Sequence, residues 1–588
     1  MKRFSYISLA LAALLTAFSC SKENTGTDGN EEPEVVFDET VNANLEINRQ
    51  TFDATCKETS FQLRITSDYL WRIVMPEDCD WVIPEALSGS EGTTKVKIII
   101  TANNTPEERT ARLTVQSGKK KLRLNISQSR LEKVLSESEV DTDRIYIPQE
   151  LRSNDFYKSS SQWYYGRSRQ SDHFIVFWEK GALWDEYGDL TPKDCTNEKL
   201  QVDVDDLLEK AELFYRMNID VLNFAVTGKG ESNLDKYKMI IMLLYTTDWV
   251  ATGSGYDNTI GALWVNPSTC HPVGSTIAHE IGHSFQYQVY SDQLATGNGS
   301  GLGSGFRYEI GQGTGFWEQC AQWQSYQKFS SGEDYTNQMF DSYNFTVFKD
   351  QCHTHFLHEH QRYASYFLQW YWTLKHGNDA VGRVWRESKK PQDPCEAYMK
   401  IYGITNDEFN AEIYDYAARC CTWDYPVAIE NTKTIKDYGA NYIDAISWKS
   451  VKEDGWYRVA KEKCPEATGF NHIRLTIPSG GGPVGVDFVG LPGADGYNPM
   501  DGNISKAGWT FGFVALKGDG SVEYSKPVLV NSSDYMVSSQ YDVPSDAVKL
   551  WMVVAATPTE YLTHLWDEND DNDLQWPYKV RFSNTNPR

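Results

Sequence analysis

The stretch STIAHEIGHSFQ at residues 275–286 carries two histidines four residues apart, with a glutamate directly after the first. Two such histidines can serve one ion only on an α-helix, where residues i and i+4 lie on one face a turn apart. His279 and His283 can then point at a single spot. Neutral imidazoles suit Zn2+, but a catalytic zinc needs a third protein ligand and keeps a fourth position for water. The fold must therefore press a second element against this helix and bring the missing ligand with it.

With 11 His in 588 residues, HExxH arises by chance in roughly one to two chains per hundred of this composition, so the neighbouring sequence decides. Pro272, just inside the expected helix start, and the Ser and Thr residues around it suit a helix that begins before the motif. Gly282 lets another backbone come close, and the apolar run GALWV just upstream reads as a strand. Glu280 can reach a water held beside the imidazoles and take its proton. This set resembles the HExxH zincin metallopeptidases. The resemblance implies zinc on His279 and His283, Glu280 as general base, and GALWV as the edge strand that pairs with an extended substrate.

The third ligand separates the subclasses. A metzincin continues HExxHxxGxxH, whereas SFQYQVYSD follows His283 here with no Gly or His at those places. A gluzincin takes a Glu from a second helix downstream. TGFWEQCAQW at residues 314–323 resembles that helix: Thr314 suits an N-cap, Glu318 stands 35 residues after His283, and Ala321 is small enough for close packing. Glu318 is the expected ligand and Glu309 the reserve, against the alternative of a solvated Glu near a helix start. The glycine-rich connection GNGSGLGSGFRYEIGQGTG suits a lid or a plain linker equally. By the same resemblance Tyr363 is the oxyanion donor, with His360 next. The stripe Tyr366, Phe367, Trp370, Tyr371 reads as core.

Residues 1–20, MKRFSYISLALAALLTAFSC, form a basic start and an apolar run too short to span a bilayer. They resemble a bacterial lipoprotein signal, with Ala17 where Leu is more usual; lipidation of Cys20, a flexible tether over 21–40 and a protein exported to the outer membrane or cell surface are expected. A net charge of −25 argues against nucleic acid as a partner. Ten further cysteines fit no zinc ribbon or CxxC pair, and export permits disulfides whose connectivity the sequence does not reveal.

The expected architecture is multidomain. Alternating runs such as SFQLRITS, TKVKIIIT, ARLTVQSG and KLRLNISQ predict an all-β module over 41–128. With Trp71, Trp81 and the closing NISQS, this module resembles the BACON domain, an Ig-like β-sandwich of exported Bacteroidota proteins, which implies a stalk or glycan-associated role. A linker is expected over 129–160. A central α/β (α+β) zincin-like domain follows over 161–435, built on DHFIVFW, KYKMIIMLLY, NTIGALWVNPS and the amphipathic helix VDDLLEKAELFYRM. A C-terminal β-sandwich over 436–588 is expected from HIRLTI, VGVDFVG, FGFVAL, AVKLWMVVA and YKVRFS. The segments SDHFIVFW, NTIGALWVNP, AHEIGHSFQYQ and FWEQCAQW together resemble an uncharacterised gluzincin-like family of exported bacterial proteins, which implies zinc peptidase chemistry and no particular substrate.

Two polar clusters remain. His353, His355, His358 and His360 fit no single helix face and read as structural or substrate-facing. The run DENDDND (Asp567, Asn569, Asp571, Asp573) alternates oxygen ligands but lacks the Gly and terminal Glu of an EF-hand, so an exposed acidic turn is expected and a Ca2+ site is the alternative. The leading function is a membrane-tethered zinc endopeptidase acting on surface or host proteins or glycoproteins. Its rival is a non-catalytic glycan-binding adhesin with an inert metal helix. A glycoside hydrolase would need a carboxylate pair in a sugar cleft, and nothing in the sequence points to one.

Overall fold

Strict alternation of apolar and polar residues buries one face of a strand, and continuous apolar runs bury both. Both patterns occur here, in different places. The computed structural model describes residues 37–588 other than 57, 78, 104–107, 130–139, 182–190, 296–313, 328–341, 426–438, 446 and 532–533. The expected lipoprotein signal with Cys20, most of the expected tether, Glu309 and nearly all of the glycine-rich connection lie outside the described residues. The chain divides into two units, Met1–Leu131 and Glu132–Arg588.

The N-terminal unit is two sheets face to face. One orders β1 (Leu45–Ile47), β3 (Thr59–Ser67), β7 (Gly92–Ile100) and β5 (Val82–Pro84); the other orders β2 (Thr51–Ala54), β9 (Lys120–Gln128), β8 (Arg109–Ser117), β4 (Trp71–Val74) and β6 (Ser88–Gly89). Alternate residues point inward: Leu63 and Ile65 of β3, Val96 and Ile98 of β7, Leu113 and Val115 of β8, and Leu124 and Ile126 of β9 share one core with Trp71 and Trp81.

In the second unit a five-stranded sheet orders β10 (Ser168–Gln170), β11 (Phe174–Trp178), β12 (Met239–Leu243), β14 (Ile260–Val265) and β13 (Ala251–Tyr256). The middle three strands run parallel and the two edges antiparallel. FIVFW of β11 and MIIML of β12 are buried throughout, as expected of strands covered on both faces. Helix α1 (Val204–Arg216) is capped by Asp203, whose carboxylate accepts the Asp205 and Asp206 amides. Helix α2 (Ser275–Ala295) carries HEIGH and packs on β13 and β14, and helix α3 (Thr314–Ser325) packs on α2. Helices α4 (Ser342–Gln351), α5 (Phe367–His376), α6 (Ala380–Glu387), α7 (Pro394–Tyr402) and α8 (Asn406–Arg419) complete the helical part. Tyr366, Phe367, Trp370 and Tyr371 are core residues there.

The C-terminal strands form two further sheets. The outer one orders β15 (Ser450–Glu453), β16 (Trp456–Val459), β24 (Tyr578–Ser583), β18 (Gly482–Gly490) and β22 (Met536–Val543). The inner one orders β17 (Phe470–Leu475), β23 (Ala547–Ala556), β19 (Trp509–Lys517) and β20 (Val522–Tyr524), with β21 (Val528–Val530) also on β19. One face of the inner sheet packs against the outer sheet through Ile473, Phe511, Phe513, Met552 and Val554. Its other face, with Phe470, Val514, Trp551 and Val553, joins the core of the helices.

Four expectations change. The C-terminal strands are not a separate domain after residue 435, because the inner sheet is buried on both faces and one of those faces belongs to the helical core. The expected linker does not run to residue 160: Val140, Ile145 and Phe156 are buried in that same core. The edge strand is β13, not GALWV, which is β14 and is paired on both sides. Pro272 also precedes helix α2, which starts at Ser275.

Strand β13 can lie close under α2 because residue 253 has no side chain. A Cβ at Gly253 would overlap the carbonyl oxygen of Glu280 and press on Cβ of His283. Gly253→Ala is expected to destabilise the unit by about 1–3 kcal/mol, the usual range for overpacking, and to weaken metal binding by shifting the helix. Thermal melts and metal titration of the variant check both effects.

Candidate metal centre

Helix α2 supplies His279 and His283, and α3 supplies Glu318. The helices touch where Gly282 faces Ala321; a Cβ on Gly282 would stand 3.4 Å from the Ala321 Cα and 3.0 Å from the Gln324 Oε1. The small residues of HEIGH and of Glu-x-x-Ala are thus the contact that lets Glu318 reach the histidines. His279 Nε2 lies 3.0 Å from Glu318 Oε2, His283 Nε2 lies 3.1 Å from the same oxygen, and the two Nε2 atoms are 3.0 Å apart. A triangle with these edges has room for one small cation about 2 Å from each corner.

The hydrogen bonds at the far side of each ring show that the corners suit a cation. His279 Nδ1 faces Gln322 Oε1 at 2.9 Å, and His283 Nδ1 faces Gln286 Oε1 at 3.1 Å. A carbonyl oxygen accepts, so each ring donates from Nδ1 and turns the Nε2 lone pair inward. Two nitrogen lone pairs and a carboxylate oxygen then meet at one point. Electrostatics agree. Burial alone would raise the Glu318 carboxyl, but rings protonated at both nitrogens donate to it and hold it well below its ordinary range. Burial would lower His283, yet the bond to Glu318 and that carboxylate's charge raise it. The site favours positive charge, and its donor set fits zinc.

The triangle opens on a cleft of about 580 Å3. Glu280 lines it, buried beside the histidines, as do Ala251, Thr252 and Gly253 of the edge strand. Tyr363 also lines it, with its ring 6.1 Å from the His279 ring, centroid to centroid. Burial first, then the Glu318 charge and a hydrogen bond with Glu318, push its hydroxyl up to about 12, so it stays a donor. His360 does not line this cleft and faces Asp570, at 3.6 Å. Trp249, 68% exposed, stands at the rim. Among the described residues no Lys or Arg lines the cleft.

Sequence reasoning missed Gln286 and Gln322, although each lies on the ligand face of its own helix: Gln286 is three residues after His283, and Gln322 four after Glu318. It also missed β13, whose signal was the Asp257–Asn258 pair. Both residues have positive φ, 51° and 50°, between β13 and β14, as a tight hairpin turn requires.

A second cluster brings ligand atoms of His358, His564 and Asp573 together, but its hydrogen bonds are not those of a metal site. His358 Nδ1 accepts the His360 amide at 3.1 Å, so the proton of the neutral ring sits on Nε2, facing Asp573. His564 has a carboxylate at each nitrogen: Glu359 at 2.6 Å and Asp573 at 3.3 Å. That is the environment of an imidazolium. Burial would lower His564, but hydrogen bonds with Asp573 and Glu359 raise it to about 10. Asp573 is thereby spent on imidazoles, while Asp567 accepts the Asn569 amide and the Asn572 side chain.

This network ties residues 353–361 to 561–575, and its ionisation gives a pH dependence. Because His564 is raised from 6.5 to about 10, its stabilisation is full below about 6.5 and is lost as pH rises through about 10. Glu359, held down at about 2 against burial chiefly by His564, stabilises above about 4.5 and loses that as pH falls through about 2. Glu466 is raised by burial to about 7, which costs stability as pH climbs from 4.5 to 7. The melting midpoint should therefore be highest between about pH 4.5 and 6.5 and fall towards pH 10, and His564→Gln should flatten the alkaline limb. For the triangle, Glu318→Ala should remove most zinc binding, read as zinc per chain after dialysis.

The family model DUF6055, described as a family of unknown function, matches residues 137–588. The BACON model, whose description reads "Putative binding domain, N-terminal", matches residues 71–129. No curated protein matches. Solved structures with partial similarity include a Bacteroides ovatus GH5 xyloglucanase in complex with a XXXG heptasaccharide, at 15% identity over 42% of this chain and 63% of that one, with a TM-score of 0.15. A PapD-like domain of human CEP192 shows 12% identity over 18% of this chain and 97% of that one, with a TM-score of 0.12. A Bacteroides thetaiotaomicron protein solved by NMR shows 11% identity over 18% and 98%, with a TM-score of 0.12. The chain spans 63% of the xyloglucanase's length, and TM-scores this low bear on neither fold nor function.

Proposed function

The chain belongs to the DUF6055 family, and we propose that it is a zinc-dependent endopeptidase acting on proteins or glycoproteins. The observation that carries this reading is the convergence of His279 Nε2, His283 Nε2 and Glu318 Oε2 at a cleft that Glu280 also lines. Those three side chains would hold the ion. When bound, zinc supplies Lewis acidity that polarises a carbonyl and brings the pKa of a water to about 7 in well-studied sites.

The remaining roles belong to the chain. Glu280, buried next to His279, takes the proton of the attacking water and returns it to the leaving amine. Tyr363 keeps its proton at neutral pH and donates it in a hydrogen bond to the oxyanion. The free edge of β13 runs along the cleft through Ala251–Gly253 and offers backbone groups to an extended peptide, which selects for chain segments without fixed structure. A cleft with carboxylates and, among the described residues, no basic lining disfavours anionic segments.

The setting we propose is a lipoprotein anchored through Cys20 at the cell surface, with the BACON domain at residues 71–129 holding the catalytic unit near its substrate. The BACON match is also what a purely glycan-binding role would draw on, and the two are separable. Glu280→Gln should keep its zinc while cleavage of a fluorogenic peptide library falls by about 10²–10⁴; undiminished cleavage sinks the peptidase reading. Tyr363→Phe should lower kcat by about 10²–10³ and leave KM nearly unchanged, measured on the same peptides.

A further inference from the structure

The two imidazoles of the triangle are oriented by different means. Gln322, which orients His279, lines the cleft and has Tyr326 OH 3.4 Å from its amide nitrogen. Gln286, which orients His283, is fully enclosed in the protein. Its amide orientation is dictated by neighbours that have only one hydrogen-bonding sense. Nε2 of Gln286 lies 3.0 Å from the Trp317 carbonyl oxygen, which can only accept. The same nitrogen donates to Gln324 Oε1 at 3.1 Å. Gln324 in turn donates from Nε2 to Asn218 Oδ1 at 2.6 Å, and Asn218 Nδ2 donates to the Phe214 carbonyl at 2.9 Å. Asn218 and Gln324 are completely buried, and Asn218 sits in the π-helical turn Met217–Val221 that follows α1.

The chain of bonds therefore begins and ends on backbone carbonyls, and reversing any one amide sets two acceptors or two donors face to face. With both hydrogens of the Gln286 amide taken, only its oxygen is left for His283 Nδ1. We propose that Gln286 is a positioning residue that fixes His283 as the Nδ1–H tautomer, and that Gln324 and Asn218 lock Gln286 in that orientation. Nε2 of His283 is then a ready ligand before any metal arrives. Gly282 has its place in this device too: the Gln324 amide passes over it at a distance that a larger residue would narrow to 3.0 Å. The proposal rests on the metal reading for its purpose but not for its test.

The test is the 15N spectrum of the metal-free protein with labelled histidine, taken at a pH above the titration of the ring. His283 is expected as Nδ1–H in the parent; finding it as Nε2–H overturns the proposal without any variant. Gln286→Met removes the acceptor, and it should release the other tautomer and weaken zinc binding by about 10–100-fold. Gln286→Glu keeps an acceptor for His283 but gives up the donor to Trp317, so it should hold the Nδ1–H tautomer and recover most of the affinity. If Glu loses as much affinity as Met while the tautomer stays put in both, Gln286 merely ties the two helices together and the proposal fails. A parent that shows the Nδ1–H tautomer yet binds no zinc upholds the proposal and sinks the metal reading, so the two failures are distinct.

Discussion

Everything at the candidate centre depends on how close two helices can come. Glu318 meets His279 and His283 only because Gly282 and Ala321 leave nothing between the backbones of α2 and α3. The same helix is pressed from its other side by β13, where Gly253 has no side chain to hold the sheet off. A half-buried carboxylate facing two imidazole lone pairs is an unfavourable arrangement by itself. It persists because packing on both sides over-determines the helix and because positive charge, as a proton or an ion, compensates it. The lowered Glu318 and raised His283 are the electrostatic imprint of that demand.

The parts of this centre that follow a fixed helical spacing were legible in the sequence. His279, Glu280 and His283 are one such spacing, and Glu318 with Ala321 is another. What was not legible is what tertiary packing decides. The segment Ala251–Tyr256, ATGSGY, has the composition of a loop, and it is a strand because its backbone pairs residue for residue with β14. The Gln286–Gln324–Asn218 chain joins residues up to 106 positions apart, and no local pattern marks it. Gln side chains on a helix read as solvated polar residues until a neighbouring helix buries them.

The domain boundary failed for a related reason. WTFGFVALK and AVKLWMVVAA are buried along most of their length, and such runs signal a sheet covered on both faces. A sandwich accounts for one cover. The second cover is the helical layer, where Phe470 meets Tyr416 edge-to-face and His472 bonds the Ala417 carbonyl. Residues 140–160 misled in the opposite direction. Val140, Ile145 and Phe156 follow no period, so only the assembled core reveals them as part of it. The match of one family to residues 137–588 spans this same shared core.

A shared core also explains why residues so far from HEIGH in the sequence bear on the candidate site. Tyr363 is the one expected catalytic group that does not lie on α2 or α3. It follows the turn Glu359–Gln361, and Glu359 is held by the imidazolium of His564. One residue before it, Arg362 lies over both the Tyr363 ring and the Trp566 ring, 5.5 and 5.4 Å from their centroids. The position of the tyrosine is thus fixed from the C-terminal segment. Buried ion pairs contribute little net stability compared with apolar packing of equal volume, and their best use is to specify one arrangement over others. Here the arrangement specified is that of Tyr363 in the cleft beside His279, so the connection between β23 and β24 is part of what assembles the candidate site.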